Sequence, residues 1–98
     1  MKVYIVLEEN YNMLLNECDA SYIYGVYDNK QKAIERLLKE IEHQKNNYNA
    51  VVDEESDIDK YVENIKNDYF RGGIILFSGY QENWDFYSVI MIKEEKIQ

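Results

Sequence analysis

Residues 21–41 read SYIYGVYDNKQKAIERLLKEI, and the apolar period changes inside them. Residues 21–27 are aromatic and β-branched, the composition of a strand. On alternation, Tyr22, Tyr24 and Val26 share one strand face. Gly25 predicts a bulge or a close backbone approach. Asp28-Asn29 then opens a helix: with Asp28 as N-cap, Gln31 falls at N3, the capping-box spacing. Ala33, Ile34, Leu37, Leu38 and Ile41 recur at helical spacing and form one apolar stripe over a helix near 30–46. Glu35 and Lys39 stand four apart in the favoured order, a pair that adds about 0.2–0.5 kcal/mol.

Working outward, residues 3–7 (VYIVL) form a strand that Glu8-Glu9 close. Its apolar residues alternate to both sides, so it is central or covered on both faces. It can pair with 21–27 through a long loop, 10–20, that holds the apolar knot Met13-Leu14-Leu15. After the first helix, 46–50 is a loop, and Val51-Val52 is a short strand or a pair of buried loop residues. Ser56 with Asp59 three later marks a second helix start. Ile58, Tyr61, Val62 and Ile65 supply its stripe, and Gly72-Gly73 stop it. Ile74-Ile75-Leu76-Phe77 is a buried strand. A turn from Ser78-Gly79 to Asn83 or Trp84 leads to a last strand over 85–93. Glu94-Glu95-Lys96 then form a charged end that discourages pairing at an edge. The expected architecture is α+β: one domain over 1–98, order β-β-α-α-β-β, with a four-stranded, mostly antiparallel sheet and two helices on one face.

The chain has 98 residues, the size of one domain. Its 11 Lys and Arg against 19 Asp and Glu leave a formal charge of −8, which opposes direct nucleic-acid binding and docking to an anionic membrane. No export signal or spanning segment is visible, and the sole cysteine, Cys18, fits a reducing cytoplasm. That is the host cytoplasm if the chain is phage-encoded. One Cys and one His (His43) exclude most zinc and triad chemistry by supply alone. Cys18 falls in the expected loop and His43 late in a helix, with no local catalytic signature around either. Asp53-Glu54-Glu55-x-Asp57-x-Asp59 is dense in oxygen ligands but lacks the glycine and terminal Glu spacing of an EF-hand. Arg71-Gly72-Gly73 matches neither a P-loop nor a dinucleotide fingerprint. No catalytic residue, cofactor or metal is expected.

Charge is uneven. Residues 53–68 hold seven acids and two bases, whereas 30–45 hold five bases and three acids. On a helix, Glu55, Asp59 and Glu63 would form a ladder with steps of about 6 Å. Such a row of carboxylates imitates a phosphate backbone. The same acids also complement a helix dipole and solvate an outer helix face. Ten tyrosines, with Trp84, add contact area at low entropy cost. Most belong to the core. Tyr11, Tyr48, Tyr80 and Trp84 fall in expected loops, where an aromatic suits partner or ligand contact.

Lys2-Val3-Tyr4-Ile5-Val6-Leu7-Glu8, Tyr24-Gly25-Val26-Tyr27 and Ala33-Ile34 resemble the openings of small uncharacterised bacterial and phage proteins. The resemblance covers about the first 40 residues and carries no functional residue to transfer. In size, acidity and expected fold the chain is also similar in kind to phage anti-CRISPR and other anti-defence inhibitors. That likeness implies a small non-enzymatic inhibitor that occupies the basic, nucleic-acid-binding surface of a protein. From the charge and loop-aromatic readings above, and not from the likeness, its contact residues would be Glu55, Asp57, Asp59 and Glu63, with Tyr48, Tyr80 and Trp84 as anchors. Two alternatives stand beside it: a nucleotide or signal-molecule binder with an aromatic pocket, and a bacterial domain that forms a homodimer.

Overall fold

The computed structural model describes residues 1–12, 17–77 and 86–97, with the backbone alone at 17–19 and 86. The elements in chain order are β1 (Lys2–Asn12), β2 (Glu17–Tyr27), α1 (Lys30–Asn47), β3 (Val51–Val52), α2 (Ile58–Lys66), β4 (Ile74–Phe77) and β5 (Phe86–Lys96). The strands form one sheet in the order β2-β1-β5-β4-β3, with every pair antiparallel. The expected α+β class and two helices hold. The sheet has five strands rather than four, because Val51 and Val52 pair with Phe77 and Leu76.

The sheet is built around β1 and β5, paired from Lys2↔Lys96 to Asn12↔Phe86. Two expectations about charge are corrected here. Glu8-Glu9 do not close β1, which runs on to Asn12: Glu8 is absorbed on the helix side, and Glu9 lies 3.7 Å from Lys93. Nor do Glu94-Glu95-Lys96 guard an edge. They pair with Tyr4, Val3 and Lys2 inside the sheet, and the edges are β2 and β3.

Tyr4, Val6, Ile74, Leu76, Ile90 and Ile92 pack under Ala33, Ile34, Leu37 and Ile41 of α1 and Tyr61 and Ile65 of α2. Each of the valine, leucine and isoleucine side chains among them contributes about 1.5–3 kcal/mol by leaving water. Both helices therefore cover one face of the sheet. On the other face Val3 and Leu7 are buried, while Ile23 and Val26 of the edge strand are exposed.

The helix ends differ in detail from the sequence expectation. Asn29, not Asp28, caps α1, its side chain accepting the Lys32 N–H at 2.8 Å. Leu38 leaves the apolar stripe and is 40% exposed, while Glu40 is buried in it. Glu35 takes the Gln31 amide at 3.4 Å in place of Lys39, and the ion pair along this helix is Arg36–Glu40 at 3.0 Å. Asp57 caps α2 through the Lys60 N–H, and Ser56 instead accepts the Ile75 N–H at 3.1 Å, tying the chain before α2 to β4. The helix stops at Lys66, well before Gly72. Asp68 takes the left-handed conformation (φ 61°), with Asp68 N–H on the Ile65 carbonyl and Tyr69 N–H on that of Asn64.

Gly25 sits opposite Val6, where the β1–β2 register shifts, and the Tyr27 ring lies over it. This bulge breaks the alternation read from the sequence. Tyr22, opposite Glu8, and Tyr24 belong to the helix side, while Val26, opposite Ile5, joins the other face. Cys18 and Tyr11 are opposite one another in strands, not in a loop. The knot Met13-Leu14-Leu15 and the 78–84 turn lie outside the described residues.

Candidate functional site

The acidic shoulder before and along α2 begins with backbone geometry. Asp53 N–H bonds to the Ile75 carbonyl, continuing the β3–β4 pairing, and Ser56 N–H bonds back to the Asp53 carbonyl. The intervening turn displays Glu54 and Glu55. Helix α2 starts only at Ile58, so Glu55 is not a rung of it, and the three-carboxylate ladder is corrected to two, Asp59 and Glu63. Asp57 is engaged as the N-cap. Glu54, Glu55, Asp57, Asp59 and Glu63 are all exposed, and among the described residues none makes an ion pair. Glu55 and Asp57 border a cleft of about 300 Å³ with Lys60, Arg71 and Gly72.

Of the expected aromatic anchors, Tyr48 is the C-cap of α1, 52% exposed, with its ring edge-on to His43 at 5.7 Å. It lies away from the shoulder, beside a different cavity. Tyr80 and Trp84 lie outside the described residues. Tyr11 belongs to β1 and stacks on Tyr87 at 5.2 Å.

The cavity beside Tyr48 is a feature that reading the sequence missed. It measures about 580 Å³ and opens between the C-terminal half of α1 and the helix side of the sheet. Glu8 of β1 and Glu40 of α1 line it, each only 7% exposed. Tyr24 donates to Glu8 Oε1 at 3.0 Å, and the Gln44 amide donates to the same oxygen at 2.6 Å and to Glu40 Oε1 at 3.2 Å. Arg36 donates to Glu40 Oε2 at 3.0 Å while its guanidinium lies 5.1 Å from the centre of the Tyr24 ring. Tyr22, Tyr48, His43, Asn10, Ser88, Ala50 and Leu76 also line the cavity, which Arg36 does not, and Ser88 donates to Asn10 at 2.6 Å. Burial, and then the charge of Glu8 and its hydrogen bond, push the Tyr24 phenol well above its ordinary range.

The charge in this cavity does not balance. Glu40 has Arg36, but among the described residues Glu8 has no cation, and its Oε2 accepts no hydrogen bond. Buried charges are ordinarily paired. Glu8 and Glu40 each had a signal in sequence. Glu8 follows Tyr4 and Val6 at strand alternation, and Glu40 sits inside the apolar stripe of α1. Among the described residues, no group of three or more His, Cys, Asp or Glu is placed to hold a metal, and no helix is long and apolar enough to cross a membrane.

No protein-family model, curated protein or solved structure matches the chain.

Proposed function

We propose that this chain is a small, non-enzymatic acidic binding protein that occupies a basic, nucleic-acid-binding surface of a protein partner. An inhibitor of that kind competes with nucleic acid for the partner. One observation carries the reading: Glu54, Glu55, Asp59 and Glu63 are exposed along one short stretch, and among the described residues none of them is held in an ion pair. Their charge is open to an incoming basic surface, and a chain of −8 meets such a surface faster than a neutral one does. Asp57 reinforces the field while it holds the helix end.

The test is affinity capture from a nuclease-treated bacterial lysate. The wild-type chain is compared with a variant carrying Glu55→Gln, Asp59→Asn and Glu63→Gln. A nucleic-acid-handling protein held by the wild type and lost by the variant supports the reading. Equal retention by both contradicts it.

A second reading, a protein that binds a small molecule, is favoured by the 580 Å³ cavity.

A further inference from the structure

We infer that the cavity between α1 and the sheet is a binding site for an organic cation, a guanidinium or primary ammonium group seated on Glu8. This inference is independent of the acidic shoulder.

Two of the lining residues, Glu40 and Tyr24, already hold one such cation at the cavity wall. Arg36 places its guanidinium on the Glu40 carboxylate and over the Tyr24 ring. A carboxylate and a tyrosine face are what a planar cation recognises. The other half of the cavity repeats the set without the cation. Glu8 stands nine-tenths buried, its Oε1 engaged by Tyr24 and Gln44 and its Oε2 without a hydrogen bond among the described residues. Tyr22 and Tyr48, each 52% exposed, line the same cavity and offer rings that a bound cation would cover.

The charge sign selects among ligands. Aromatic walls suit a nucleobase, yet two lining carboxylates, of which only Glu40 has an ion-pair partner among the described residues, repel the phosphate that a nucleotide carries. The same imbalance attracts a cation, and a hydrogen bond between ionised partners is about twice as strong as a neutral one. At about 580 Å³ the space admits a small molecule of several heavy atoms beyond the cationic head.

The experiment is calorimetric titration of the full chain with agmatine, which carries both cationic groups. N-acetylarginine methylamide stands for the arginine of a protein partner, and adenosine monophosphate is the anionic aromatic control. Saturable one-to-one binding of agmatine or of the arginine amide, without binding of the nucleotide, is expected. Tighter agmatine identifies a free amine as the natural occupant. An equally tight arginine amide identifies a partner's side chain. Glu8→Gln should weaken binding by at least about tenfold. Tyr48→Ala, at an exposed position that leaves the core intact, should weaken it about threefold to tenfold. The shoulder variant Glu55→Gln/Asp59→Asn/Glu63→Gln should bind as the wild type does. Absence of saturable binding by both cations up to about 10 mM overturns the inference. So does unchanged affinity in both Glu8→Gln and Tyr48→Ala.

Discussion

The phenolic oxygen of Tyr61 accepts the backbone N–H of Ile92 at 2.9 Å in the core. Strand β4 reaches β5 only as far as Ile74↔Ile90, so Ile92 lies beyond its last ladder partner on that side. Helix α2 thus supplies, through one side chain, the acceptor that a longer β4 would have supplied. Tyr61→Phe keeps the ring and removes the acceptor. The expected loss is about 1–3 kcal/mol in urea unfolding, the cost of a buried unsatisfied N–H. A loss below about 0.5 kcal/mol contradicts this account of the bond.

Tyr24 and Tyr61 should resist ionisation. Burial is the first cause in both, joined at Tyr24 by the charge of Glu8 and its hydrogen bond, and opposed at Tyr61 by the Ile92 N–H. Both phenols are held above the ordinary value of 10.0. A raised folded-state value contributes stability that is complete below the unfolded value and lost as pH rises through the folded one. Phenolate absorbance of the wild type, compared with Tyr24→Phe and Tyr61→Phe, should therefore show these two phenols ionising above the ordinary value and together with alkaline unfolding. Ionisation of Tyr24 and Tyr61 near the ordinary value in a folded chain is the contrary outcome.

Gly73 lies against β5, where an added Cβ would stand 2.6 Å from Val89 Cγ1 and 2.8 Å from the Ile90 carbonyl oxygen. The backbone contact has no rotamer by which to yield. Gly73→Ala should destabilise the chain by about 1–3 kcal/mol, as overpacking does. Thermal unfolding checks it, and an unchanged midpoint refutes the contact.

Gln44 joins the two buried carboxylates of the cavity through a single amide. Gln44→Leu fills similar volume and donates nothing, leaving Glu8 with Tyr24 alone and Glu40 with Arg36 alone among the described residues. A loss of about 1–3 kcal/mol is expected in urea unfolding. Glu40→Gln made in the Gln44→Leu background should cost less than it does in the wild type, because the two residues share one network. Strict additivity of the two substitutions contradicts the shared amide.

Much of the fold was legible in residues whose neighbours in sequence are also their partners in space. Ile74–Phe77 is a strand with the expected bounds, and α1 follows its apolar stripe from Lys30 to Asn47. The length of β1 was not legible. Glu8 looks like a stop because a carboxylate in a core strand is costly. What offsets that cost, Tyr24 and Gln44, comes from 16 and 36 residues away. Helix α2 was read too long for a similar reason. Its stop is Asp68 in a left-handed conformation, tied to Lys30 of α1 at 2.8 Å, and the visible glycines serve a later strand contact. Of the expected contact residues, Glu55, Asp59 and Glu63 are exposed as the shoulder requires, but only two of the three stand on the helix.

The most direct test of the acidic-shoulder reading is displacement. The captured protein partner, held on the immobilised wild-type chain, is challenged with duplex DNA at increasing concentration and at two salt concentrations. The account predicts that DNA releases the partner, that higher salt weakens the complex, and that the Glu55/Asp59/Glu63 variant binds more weakly with a flatter salt dependence. A complex that survives excess DNA, with equal affinity for wild type and variant at both salt concentrations, would contradict it.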